Sequence, residues 1–161
     1  MVAVIRIEVS YPPSANRYKL PRVIPVRRGS QPAITWYLSK EAKAFKEEVA
    51  WRAKQAGIRS PVSGFVRVVL TLIPHQPKDV ADRARKDPKL WPLTVQSLDV
   101  GNVEKVALDA LNGLAWIDDR QIEELIVRRA EPGQQGLVIE FEEFTPAWLD
   151  RTPDLFGEVA A

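Results

Sequence analysis

The sequence predicts one small α+β domain with elements in the order β-α-β-α-β-β: a mixed sheet, two packed helices and a C-terminal β-hairpin. Three observations carry that expectation. Strand-like alternation recurs at residues 2–9, 65–73, 121–128 and 137–142, whereas apolar residues three and four apart mark helices near 40–55 and 100–111. The length of 161 residues suits a single domain that buries its own core. Cysteine is absent and His75 is the one histidine, which excludes thiolate metal sites, thiol nucleophiles and disulfide frameworks.

The elements follow in order. Residues 2–9 place Ala3, Ile5, Ile7 and Val9 on one face of a strand. Residues 10–36 read as a long loop, punctuated by Pro12, Pro13, Pro21, Pro25 and Pro32. Ser39 suits an N-cap for a helix ending near Gln55, with Glu41 in its first turn and Gly57 beyond its end. Its apolar stripe is Ala42, Phe45, Val49, Ala53 and Ala56. Residues 65–73 form the most apolar strand, expected at the centre of the sheet. A surface excursion with a short helix at 79–86 leads to the second long helix, whose buried face is Val103, Val106, Ala107, Ala110 and Leu111. Gly113 ends it, and strands at 121–128 and 137–142 pair through a turn at 131–136.

Charge is distributed unevenly along the chain. Residues 1–98 hold 18 Lys or Arg against 7 Asp or Glu, and residues 99–161 hold 5 against 14. A basic surface for a polyanion beside a cluster of acids fits this asymmetry, and a folded surface that intermixes the halves fits it equally. In the 10–36 loop, Arg17, Lys19, Arg22, Arg27 and Arg28 alternate with Tyr11, Tyr18, Trp36 and Tyr37. That mixture offers phosphate contacts and faces for stacking on unpaired bases. No apolar run reaches the roughly 20 residues of a membrane span, and the first residues read as a strand rather than a secretory leader, so a cytoplasmic location is expected.

Residues 99–121 carry the chemistry. They contain Asp99, Glu104, Asp109, Asp118 and Asp119, with Asn102, Lys105 and Asp109 along the polar side of the helix. Acids at a helix entrance and a strand entrance can converge and give magnesium its oxygen ligands. Such an ion activates water and stabilises phosphate charge, and a neighbouring lysine supplies a point cation for the scissile phosphate. The alternative is that Asp99 caps the helix, Lys105 is solvated, and Asp118 and Asp119 lie in a turn.

The pattern D-x-x-N-x-x-K-x-x-x-D-A-L-x-G followed by D-D-x-Q-I, from Asp99 to Ile122, resembles the RusA family of Holliday junction resolvases. PPSANRY, from Pro12 to Tyr18 and including Asn16, resembles that family's N-terminal loop, and YLSKEAKAF, from Tyr37, its first helix. The resemblance implies a RusA-like domain over residues 1–144. It implies a homodimeric crossover junction endodeoxyribonuclease, dependent on magnesium with manganese as a substitute, that nicks opposed strands of a four-way DNA junction in recombination and repair. The family is commonly carried by phages and prophages. The resemblance places catalytic roles on Asp99, Lys105 and Asp119, metal ligation on Asp99 and Asp119, and DNA contacts on Asn16, Arg17, Lys19, Arg27, Arg28 and Asn102.

One position departs from the family pattern. Where D-x-D-N is frequent, this chain reads Asp99-Val100-Gly101-Asn102, so one carboxylate is missing. Asp109 lies about 12 Å further along the helix axis, too far to replace it. Glu104 is one turn on and leans back toward the helix start, which makes it the expected substitute ligand, with Asp118 the second candidate. The competing expectation is a branched-DNA-binding protein that has lost cleavage through Gly101. Residues 145–161 are expected to form a peripheral tail. Within it, 153–156 faintly resembles peptides that dock on replication sliding clamps.

Overall fold

The computed structural model describes residues 4–24 and 33–149. Arg27, Arg28 and the clamp-like 153–156 segment lie outside the described residues. Strands β1 (Ile5–Val9), β4 (Val66–Ile73), β5 (Ile122–Arg129) and β6 (Gly136–Glu143) form one sheet in the order β1-β6-β4-β5. Strand β6 is antiparallel to both β1 and β4, and β4 is parallel to β5, so the sheet is mixed.

Sequence dictates these positions. In β4, Val66, Val68, Leu70 and Leu72 are fully buried, so the most apolar strand takes a neighbour on each side. Glu123, Glu124, Ile126, Arg128 and Arg129 are exposed in β5, which takes the edge. The C-terminal strands keep the expected chain order and antiparallel sense, but β4 is inserted between them. They are therefore not hydrogen-bonded neighbours, because pairing each with β4 buries more apolar surface than pairing them with one another.

Helices α2 (Lys40–Gln55) and α4 (Val100–Leu111) cover one face. Ser39 caps α2 by accepting a hydrogen bond from the Ala42 N–H at 3.1 Å, and Gly57 follows at a φ of +92°, as the capping pattern requires. Ala42, Phe45, Val49 and Ala53 are buried, but Ala56 sits at the C-cap and is exposed. The whole expected stripe of α4 is buried. Each fully buried Val, Leu or Phe side chain stabilises the fold by about 1.5–3 kcal/mol. Fully buried Trp116 meets Phe141 edge-on with ring centroids 5.8 Å apart.

The opposite face of the sheet carries charge. Arg67 donates to Glu124 and to Glu142, and Arg6 to Glu140, in a ladder across the strands. Such pairs contribute little individually. They keep this face solvated, as expected for a sheet covered on one side.

The 10–36 segment is more regular than its prolines suggested. It contains a helical turn α1 (Ala15–Tyr18) and strands β2 (Lys19–Ile24) and β3 (Ala33–Leu38), paired antiparallel in a separate two-stranded sheet. Val23, Ile24, Ile34, Trp36 and Tyr37 favour extended backbone. A two-stranded ribbon consists only of edges, where Pro21 is tolerated. The excursion contains the short helix α3 (Val80–Lys86), in which Arg83 bonds to Asp79 and Thr94. Beyond β6, Trp148 packs edge-on against Phe65 and donates to Glu123, so the start of the tail docks on the domain. Among the described residues no helix is long and apolar enough to cross a membrane.

Candidate active site

Asp99 is the N-cap residue of α4, yet its carboxylate makes no capping hydrogen bond. It is exposed, and neither it nor Glu104 or Lys105 has a side-chain hydrogen-bond or ion-pair partner among the described residues. Helix capping therefore does not account for Asp99. The backbone ahead of it is held twice: Leu98 N–H donates to the Tyr11 hydroxyl at 2.8 Å, and Arg129 donates to the Leu98 carbonyl at 3.0 Å.

The N-terminal segment wraps around this helix entrance. A cleft of about 690 Å³ is lined by Tyr11, Pro12, Ser14, Arg17, Glu48 and Leu98, among others. Arg17 and Asn16 are exposed on α1. Lys19 reaches Asp109 on the polar side of α4, with its ammonium 3.9 Å from the carboxylate. Tyr18 between them is buried, and its hydroxyl has no hydrogen-bond partner. Burial, then the Asp109 charge, pushes its phenol up to about 12.

Asp118 and Asp119 occupy a different place. They enter a 3₁₀ turn (Asp119–Gln121) before β5. Asp118 accepts from the Arg120 backbone at 2.9 Å and from its guanidinium at 3.0 Å, and the guanidinium holds the carboxyl below its ordinary range. Asp119 accepts from the buried Trp116 indole N–H at 2.9 Å. Gln121 fastens the turn: its oxygen accepts from Ile117 and Asp118 N–H, and its amide donates to the Val62 and Gly64 carbonyls. The Asp118-x-x-Gln121 spacing is a capping box and was readable as one, although the residues had been weighed only as chemistry.

The sheet register shows that the acids do not meet within one chain. Leu72 faces Arg129 in β5 and Leu137 in β6, and Leu137 faces Val9 in β1, which defines one end of the sheet. Val66 faces Ile122 and Glu143 at the other end. Arg129 ties Leu98, and so Asp99, to the first end, whereas Asp119 stands three residues before Ile122 at the second. Strand β5 and helix α4 both run between these ends, so the two carboxylates are on the order of 20 Å apart. Among the described residues no three acidic or histidine side chains gather to hold a metal ion. The expected convergence of the helix-entrance and strand-entrance acids is thus absent from a single chain. The reason is topological: α4 returns antiparallel to β5, so their entrances lie at opposite ends.

Gly101 is the second residue of α4, and a Cβ added there would meet nothing within 4 Å. Nothing steric demands glycine at this position.

The family profile described as Endodeoxyribonuclease RusA matches residues 11–142, most of the chain. The chain belongs to the RusA endodeoxyribonuclease family. The RusA match begins at Tyr11, whose hydroxyl holds the α4 entrance, and ends within β6, so it spans both α4 and the Asp118–Gln121 turn. No individual curated protein matches the chain.

Proposed function

We propose that this protein is an endodeoxyribonuclease that resolves four-way DNA junctions by paired, symmetric phosphodiester hydrolysis. The observation that carries this proposal is the RusA match across residues 11–142, which contains Asp99, Lys105 and Asp119. Exposure of Asp99 and Lys105, without side-chain partners among the described residues, agrees with groups held for a substrate. Lys105 supplies a cation for the scissile phosphate. Asn16, Arg17, Lys19 and Asn102 surround the α4 entrance as backbone contacts, with Arg27 and Arg28 as further phosphate contacts. Trp36 and Tyr37, exposed on β3, offer stacking surfaces for bases unpaired at a junction.

Magnesium dependence, with manganese as a substitute, belongs to the proposal. The acids of one chain do not fit a divalent cation, so no step of hydrolysis is assigned to an ion held by one chain. The test is a labelled four-way junction incubated with purified protein, with and without magnesium. Paired nicks only with the ion, abolished by Asp119→Asn while junction binding persists, are the expected result. Binding without nicks in either divalent cation would instead favour a junction-binding protein disabled at Gly101.

A further inference from the structure

We propose that two copies of this chain pair antiparallel through their β5 edges, and that each acidic site is assembled from Asp99 of one copy and Asp119 of the partner subunit. The composite site rests on the nuclease proposal; the interface stands on the β5 sequence alone.

Among the described residues β5 has a strand on one side only, which leaves an exposed ladder edge that can accept another strand. Its open face presents Glu124, Ile126 and Arg128, with Ile126 47% exposed between the two charges. Two-fold antiparallel pairing centred on Ile126 sets Glu124 opposite the partner subunit's Arg128 and Ile126 opposite the partner subunit's Ile126. On the helix-covered face it sets Leu125 opposite the partner subunit's Val127. Centring on Glu124 or Arg128 would oppose like charges, and centring on Leu125 or Val127 would set a charge against Ile126. The sequence is therefore self-complementary in one symmetric register. That register also extends the existing ladder, because Glu124 already accepts from Arg67, which bonds to Glu142.

The same operation resolves the disagreement over the acids. Antiparallel pairing brings the Arg129 end of one β5 beside the Ile122 end of its mate. Asp99, tied to the Arg129 end through Leu98, then lies at the same end as the partner subunit's Asp119. The two-fold creates two such sites, separated by roughly the length of a strand, about 20 Å. Paired nicks need two sites of that kind.

The chain contains no cysteine, so a single Ile126→Cys substitution can cross-link only to another copy. Directly opposed strand residues have Cα separations of about 4.5–5.5 Å, which a disulfide can span. Mild oxidation of Ile126→Cys should give a covalent dimer on a non-reducing gel, whereas Val23→Cys, equally exposed on β2, should not. Ile126→Asp should sediment as a monomer at concentrations where the unaltered chain is a dimer. A monomeric unaltered chain, or cross-linking through Val23→Cys in place of Ile126→Cys, overturns the interface.

The composite site is tested by co-refolding Asp99→Asn with Asp119→Asn and titrating manganese by calorimetry. Each variant alone should lose the binding. Random pairing should restore about a quarter of the capacity, because half the dimers are mixed and each holds one intact site. Dimers that regain no manganese binding on mixing overturn the composite site. Recovery of manganese binding without junction nicking would count against the nuclease proposal and leave the assembled site standing.

Discussion

Arg129 donates to the carbonyl of Leu98 at 3.0 Å, which fixes the residue before Asp99 to the end of β5 farthest from Asp119. This one hydrogen bond couples the sheet edge to the entrance of α4. Arg129→Met should cost about 1 kcal/mol, the usual contribution of an exposed charge-assisted hydrogen bond. Its larger effect should be on junction cleavage at saturating DNA, because Asp99 loses its anchor while the DNA-contacting loop is unchanged. Thermal melting and single-turnover cleavage measure the two effects, and a variant that melts lower but cleaves normally would show that Tyr11 suffices to hold Leu98.

Gly101 offers a gain rather than a loss. A side chain there meets nothing within 4 Å, and Asp in the first turn of α4 is favoured by the helix dipole. Removing a helical glycine adds to this, so Gly101→Asp should stabilise the protein by about 1 kcal/mol, a rise of about 2–4 °C in melting temperature. It should also tighten manganese binding. If Glu104 takes the place of the missing carboxylate, Glu104→Gln should weaken manganese binding roughly tenfold in the unaltered chain and much less in the Gly101→Asp background. Equal effects in both backgrounds would remove Glu104 from the ligand set.

Gln121 makes four hydrogen bonds that fasten the turn bearing Asp119 to the chain before β4. Gln121→Ala leaves two N–H groups and two carbonyls without their partner, at an expected cost of about 2–3 kcal/mol. Gln121→Glu keeps the acceptor but sets a carboxylate against the Val62 and Gly64 carbonyls, so it should be at least as damaging at neutral pH. Denaturant melts of both variants check the ranking. A Glu variant as stable as the parent would mean that the two donated bonds contribute nothing.

Much of this architecture was legible in the residues. Ser39 and Gly57 bounded α2, the Val103-to-Leu111 stripe set the buried face of α4, and the apolar run at 65–73 found the central strand because burial on both sides leaves no polar alternation. Local pattern could not reveal that β4 separates β5 from β6, since pairing between distant strands is decided by total burial rather than by the turn at 131–136. It also could not place the acids. Asp99 and Asp119 share a motif twenty-odd residues long, and only the antiparallel return of α4 along β5 puts them at opposite ends. The β2–β3 ribbon was hidden by prolines that a two-stranded sheet tolerates.

Tyr18 sets an alkaline limit on the fold. Its ring is buried beneath α2 and α4, its hydroxyl has no hydrogen-bond partner, and burial with the Asp109 charge raises its phenol from 10.0 to about 12. Between those values the unfolded chain has lost the phenolic proton and the folded chain keeps it. The unfolded state then binds fewer protons, so stability falls as pH rises from the unfolded value toward the folded one, and this contribution is fully present below it. Tyr18→Phe should flatten that slope, measured by chemical denaturation from pH 8 to pH 11. At neutral pH it should be as stable as the parent or more so, by up to about 1 kcal/mol, because it removes a buried hydroxyl that nothing in the fold satisfies. A Phe variant that is less stable at neutral pH would mean that the hydroxyl is hydrogen-bonded through an ordered water, most directly to Asp109.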